Sequence, residues 1–162
     1  MVERLCYFVG TAFGQEDQSE RFLRQNCWEL GWKGQEENKQ YIKMKKLYDQ
    51  MKVGDYIALK ATYTKSLHLP FANPKEEKVS TMKIKALGKI REKIDDGHTV
   101  LVDWDRNFEE REWYFSTYQQ TIWQVKDQSP VKKALLDFVL DNKGQDYNWF
   151  LAQDKWSKYC GK

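Results

Sequence analysis

Histidine, proline and cysteine are scarce in this chain: two His, three Pro and three Cys among 162 residues. Cys6, Cys27 and Cys160 are widely spaced and odd in number, with no Cys-x-x-Cys pair, and His68 and His98 stand apart from them. That spacing argues against a structural zinc site, which needs grouped ligands, and leaves free thiols of a reducing compartment as the expectation. No run approaches the roughly 18 apolar residues of a membrane span, and Met1 to Gly10 lacks a charged-then-apolar signal pattern. A soluble, cytoplasmic chain without membrane contact is expected. The common catalytic and nucleotide motifs are missing as well: no Gly-x-x-x-x-Gly-Lys-Ser/Thr, Gly-x-Gly-x-x-Gly, His-Glu-x-x-His or Gly-x-Ser-x-Gly. Asp103-Trp104-Asp105 and Glu109-Glu110 are the nearest thing to a nuclease carboxylate cluster, and acidic pairs in charged loops read as solvated surface. His98 follows a turn and reads as exposed, without a partner. A binding domain is expected rather than an enzyme, with no cofactor and no metal.

Charge of neither sign dominates. Lys and Arg number 27 against 24 Asp and Glu, a net +3, and the pI near 8.6 falls short of the value above about 9 that marks a strongly basic nucleic-acid-binding domain. Any nucleic-acid contact would rest on a local patch. What the chain has in excess is aromatic: seven Trp, nine Tyr and eight Phe, or 15%. Rings of this size build cores, and so many of them leave some for exposed stacking surfaces.

Leu5 to Val9 reads as an apolar strand closed by Gly10. Asp17 or Ser19 offers an N-cap for a helix through Gln25, with Phe22 and Leu23 inward. Trp28-Glu29-Leu30-Gly31-Trp32 follows as a glycine-interrupted aromatic segment outside regular structure. Asn38 caps a second helix to about Met51, whose stripe of Tyr41, Met44, Tyr48 and Met51 is expected to be buried. Its outer face carries Lys39, Lys43, Lys46 and nearby Lys45, which is either an ordinary solvated face or a phosphate-facing patch. The Gly54-Asp55 turn starts a strand from Tyr56 to Tyr63. Thr64 to Val79 is a long loop with Pro70 and Pro74, of the kind that is functional or mobile. Ser80 to Ile90 alternates, placing Met82, Ile84, Ala86 and Ile90 on one face and Lys83, Lys85 and Lys89 on the other. Asp95-Asp96-Gly97 turns into Thr99 to Trp104, and strands around Trp113–Phe115 and Thr121–Val125 follow. Ser129-Pro130 starts a helix and Tyr147 to Tyr159 forms a last amphipathic piece. About five or six strands with early helices point to a small mixed barrel rather than repeated βαβ units.

The order of motifs carries more than any one of them. Tyr-Phe-Val-Gly, a helix, Trp-x-x-Gly-Trp, Met-Lys-x-Gly-Asp-x-Ile-Ala-Leu-Lys at Met51 to Lys60, Ala-Leu-Gly-Lys-Ile and Val-x-Val-Asp-Trp at Val100 to Trp104 follow in sequence. Over roughly residues 5 to 125 the chain resembles EVE-type domains of the PUA-like superfamily, nearest to those at the N-terminus of McrB-like modification-dependent restriction proteins. The resemblance implies an α+β domain built on a small, mainly antiparallel curved β-barrel with flanking helices; the two C-terminal helices lie outside it and are read from their own pattern as a helical extension. Residues 1–126 would be the base-reading domain and 127–162 the extension packed on the barrel. It also implies DNA with a modified, often methylated, base as partner, the base being flipped into an aromatic pocket. Carried over by position, Trp28, Trp32, Lys60, Tyr63 and Asp103 or Trp104 would form that pocket, with Trp104, Trp113 and Trp123 read as core. Lys39, Lys43, Lys46, Lys65 and Lys83 are the phosphate candidates. The nucleotide motifs of a downstream motor domain are absent from the chain, so a motor or nuclease would act as a separate partner or follow in a longer protein. An RNA reader is the alternative within this class. An adaptor working through the C-terminal helices is the alternative outside it.

Overall fold

The computed structural model describes residues 3–160. In chain order its elements are β1 (Leu5–Gly10), the short strands β2 (Ala12–Phe13) and β3 (Glu16–Asp17), α1 (Ser19–Gln25), β4 (Cys27–Glu29) and α2 (Lys39–Gln50). There follow β5 (Tyr56–Lys65), β6 (Val79–Lys93), β7 (Thr99–Trp104), β8 (Arg111–Tyr114), β9 (Ile122–Lys126), α3 (Pro130–Leu140), α4 (Tyr147–Leu151) and a 3-10 turn at Ser157–Cys160. One seven-stranded sheet runs β4-β7-β6-β5-β1-β9, with β8 also on β6, and β2–β3 forms a separate small hairpin. All pairings are antiparallel except β1 with β5, where Cys6 to Gly10 lie beside Tyr56 to Lys60. The result is a mixed α+β domain with a mainly antiparallel sheet.

The sheet is strongly curled. β4 and β1 are four strand spacings apart, about 19 Å on a flat sheet, yet the Trp28 indole N–H donates to the Gly10 carbonyl at 2.8 Å. Among the described residues no strand pairing joins the outer strands β4 and β9.

Each face of the sheet has its own core. The inner face sets Tyr7, Val9, Ile57, Leu59, Val100, Val102 and Trp104 against Phe22 of α1 and Tyr41, Met44 and Tyr48 of α2. α2 forms as its sequence requires: the Asn38 side chain accepts from the amides of Gln40 (2.8 Å) and Tyr41 (3.3 Å), and the stripe ending at Met51 is buried. The other face sets Cys6, Phe8, Ala58, Met82 and Ile84 against Leu135, Leu136, Phe138 and Val139 of α3 and Phe150 of α4. The C-terminal helices thus share a core with the sheet, and Arg4 ties β1 to α3 through Asp137 at 2.7 Å and Asp141 at 3.0 Å.

Two expectations need correction. Met82 and Ile84 do not share a face with Ala86 and Ile90: the first pair belongs to the α3 side, the second to the α2 side. The register shift opposite Leu59/Lys60 makes Lys85 an extra residue and reverses the alternation beyond it. The irregular segment expected from Thr64 to Val79 is also shorter at both ends, because β6 begins at Val79. β5 runs on to Lys65, and Asn73 staples the rest by donating to Ser66 O (3.2 Å) and Glu77 O (2.8 Å) and accepting from the Glu77 amide (3.1 Å). Phe71 then packs on Phe115 with ring centroids 4.9 Å apart.

Candidate base-binding cleft

β1 stops at Gly10 while β5, beside it, continues five residues past the Gly10–Lys60 register. The chain leaving β1 turns into the β2–β3 hairpin, and the space beside it is a cavity of about 340 Å³ whose lining includes Gly10, Phe13, Glu29, Trp32, Gln35 and Thr121. That volume is at the lower end of the roughly 300–1,000 Å³ range of small-ligand sites. A larger cleft of about 590 Å³ lies between Pro70–Pro74 and α4, but none of the expected ligand-contacting residues line it.

Trp32 sits in the left-handed region with φ of 64°, a conformation costing a non-glycine residue roughly 1–2 kcal/mol. It is held by a turn in which the Gln35 amide donates to the Trp32 carbonyl at 2.9 Å. The preceding residue, Gly31, lies beside Phe13: a Cβ there would make ordinary van der Waals contact with the ring at 3.5 Å. Phe13 is supplied by the hairpin, which Lys85 fixes by donating to Asp17 at 2.9 Å and Ser19 Oγ at 3.1 Å. The lysine singled out by the bulge thus secures a wall of the cleft, and with the Ser19 hydrogen bonds it holds the Asp17 carboxyl well below its usual range, against the opposing effect of burial.

Glu29 brings the single charged side chain among the described lining residues. Burial alone would raise its pKa, but Lys33 bonded to Oε1 and Arg21 bonded to Oε2 overcome that and keep the carboxyl below its ordinary value. It is a carboxylate, and an anion accepts hydrogen bonds without donating any.

Of the five expected pocket residues, the structure brings one, Trp32, to the cleft. Trp28 is fully buried in the inner core and its N–H is spent on Gly10 O. The reason is that residues 27–29 form an edge strand paired with β7, where Trp28 faces Val100, rather than an irregular segment. Lys60 is also buried, 3% exposed, and its ammonium donates to the carbonyls of Tyr118 (2.6 Å) and Gln120 (2.8 Å). Burial pushes its pKa down to about 8. It pins the loop that leads to Thr121, whose carbonyl accepts from the Gly10 amide at 2.8 Å. Tyr63 lies on the projecting part of β5 and donates to Glu112. Asp103 is exposed on β7 near Arg91, 3.8 Å away. Trp104 is core, with its N–H on Phe22 O at 3.0 Å.

The lysines divide similarly. Lys39, Lys43 and Lys46 are exposed along one side of α2 and form no ion pair among the described residues. Lys65 is engaged by Glu112 at 3.0 Å and Lys83 by Glu110 at 3.8 Å, so neither is a free phosphate contact. His98 is not exposed: its ring is buried, stacked on Tyr41 at 4.9 Å, with Nδ1 2.8 Å from the Leu30 carbonyl. It anchors the strand end from which Gly31 and Trp32 emerge.

Phe13, Glu29, Gln35 and Thr121 are the lining residues that sequence reading passed over. For Glu29 a signal existed, since an acidic residue enclosed by two tryptophans and a leucine sits in a segment too apolar for plain solvation.

Among the described residues no group of three or more His, Cys, Asp or Glu is placed to hold a metal ion, and no helix is long and apolar enough to cross a membrane. Comparison of the chain with protein-family models, curated proteins and solved structures finds no match.

Proposed function

We propose that this chain is a non-catalytic nucleic-acid reader with a PUA/EVE-like curved-barrel fold. It takes a modified base of DNA, of the methylated class and flipped from the stack, into the cleft at the end of β1, as the specificity domain of a modification-dependent restriction system. The observation that carries the reading is the composition of that cleft: two rings, Trp32 and Phe13, beside an ionised Glu29. A flat ligand needs faces to stack on and a polar group at its edge, and stacking contributes roughly 1–3 kcal/mol per base. Lys39, Lys43 and Lys46 supply the free positive charge of α2 for the backbone phosphates. The adaptor alternative is weakened because the apolar sides of α3 and α4 are turned into the core.

Fluorescence anisotropy with short duplexes, unmodified or carrying methylcytosine, hydroxymethylcytosine or methyladenine, and with matching RNAs at two salt concentrations, tests the reading. A modification-dependent gain that survives higher salt and is lost in Trp32→Ala is expected. Weak, uniformly salt-sensitive binding that ignores Trp32 would overturn it, and a preference for the RNA series would move the assignment to an RNA reader.

A further inference from the structure

The polar wall of the cleft is uneven in its hydrogen-bonding character. Its neutral polar side chains, Gln35 and Thr121, can each donate or accept, whereas Glu29 accepts only. An ionised carboxylate offers about four lone-pair positions; Arg21 occupies one at Oε2 and Lys33 one at Oε1. The oxygens therefore keep acceptor capacity while both cations hold the group in one orientation. A ligand edge presenting a carbonyl at this wall sets lone pairs against lone pairs. An edge presenting N–H completes the acceptor. Arg21 is itself fixed, its Nε donating to Gln18 at 2.8 Å and its guanidinium lying over the Phe22 ring at 4.9 Å, so the carboxylate is not free to swing away.

Resting on the base-reading function above, we infer that Glu29 is the specificity-determining residue of the cleft and that the base it admits carries an exocyclic amino group with at least one remaining N–H. A primary or monomethylated amine satisfies this. A keto oxygen or a dimethylated amine in the same place does not. The low pKa of the Glu29 carboxyl means that it stays an acceptor throughout the neutral range.

The test uses single strands, so that differences in base pairing do not enter, and two pairs of probes in which a methyl group is kept while the exocyclic N–H is lost; thymine gains a ring N3–H in exchange, and the adenine pair does not. One pair is 5-methylcytosine against thymine; the other is N6-methyladenine against N6,N6-dimethyladenine. Wild-type protein should bind the N–H-bearing member of at least one pair about tenfold or more tightly, the loss expected when a hydrogen bond to a charged acceptor is removed. Glu29→Gln should reduce that ratio to about twofold, in the cytosine pair by turning its amide to donate to thymine O4 and in the adenine pair by replacing the charged acceptor of the N6–H with a neutral one. Equal wild-type affinity within both pairs overturns the inference without any variant, and so does a ratio that Glu29→Gln leaves unchanged. Trp32→Ala separates the two levels. If it abolishes binding of every probe while no pair is discriminated, the cleft reads bases but Glu29 does not select them. If Trp32→Ala has no effect on any probe, the base-reading function itself fails.

Discussion

Lys60 gives a quantitative test of how the cleft wall is held. Burial lowers its pKa from 10.5 to about 8, equivalent to about 3.4 kcal/mol at 1.36 kcal/mol per unit. The sign follows from proton binding. Between the two pKa values the unfolded lysine is charged and the folded one neutral, so the unfolded state holds the extra proton and stability rises with pH. The cost is present in full below the folded pKa of about 8 and has gone above the ordinary 10.5. Lys60→Met removes the charge but leaves the carbonyls of Tyr118 and Gln120 without their donor, at about 1–3 kcal/mol for each buried acceptor. At pH 7 the two effects come close to cancelling, while at pH 10 the lost donor dominates. The stability of the variant relative to wild type should therefore fall by about 2.5 kcal/mol between pH 7 and pH 10. Urea unfolding followed by tryptophan fluorescence at both pH values measures it. Cys6, Tyr48 and Tyr114, whose protons the fold retains because burial raises their pKa, act in the opposite direction. They are common to both proteins and drop out of the difference. A difference that is the same at pH 7 and pH 10 would refute the buried, charged Lys60.

Trp28→Ala should cost about 3–5 kcal/mol in denaturant melts, as a large core ring does, whereas Trp32→Gly should stay within about 1 kcal/mol of wild type, because relief of the left-handed backbone offsets the lost packing of a partly buried ring on the inner core. Only the second would then reduce affinity with the fold intact. Gly88→Ala places a Cβ 2.6 Å from the Asp103 carbonyl and 2.7 Å from Val102 Cγ1; a loss of about 1–3 kcal/mol is expected, and an unchanged melting temperature would contradict the close packing of β6 on β7. Deleting residues 128–162 should abolish the cooperative thermal transition seen by circular dichroism, because α3 and α4 complete the core over Cys6, Phe8 and Trp113. A truncated protein that melts cooperatively would show the sheet to be self-sufficient.

Local signals made part of the fold legible. α2 could be placed from Asn38 and its four-residue stripe because cap and periodicity lie within one segment. β1, β5 and β7 announced themselves by apolar runs and flanking turns for the same reason. β4 did not, since a strand of three residues has too little pattern to register, and its partner β7 lies some seventy residues away, with Trp28 opposite Val100. The inverted alternation of β6 was equally hidden. A one-residue bulge leaves the polarity sequence Met82-Lys83-Ile84-Lys85-Ala86 looking regular while the register against β5 jumps at Lys60.

Two of the expected pocket residues, Trp28 and Lys60, lie away from the cleft for a shared physical reason, and His98, expected to be exposed, shares it too. Trp28, Lys60 and His98 are chemically conspicuous, and each sits one bond behind the cleft rather than in it. Trp28 holds Gly10, His98 holds Leu30 beside Gly31, and Lys60 holds the loop that ends at Thr121. In every case a buried polar side chain satisfies a backbone carbonyl at a point where the chain leaves regular structure. A loop wall made this way is fixed before any ligand arrives, which spares binding the entropy of ordering it. Residue type therefore locates the neighbourhood of the cleft but not the side chains that line it. The groups that meet the cavity, Phe13, Glu29 and Gln35, are common residues distinguished by where the scaffold releases them, and that position is set by tertiary contacts no local pattern records.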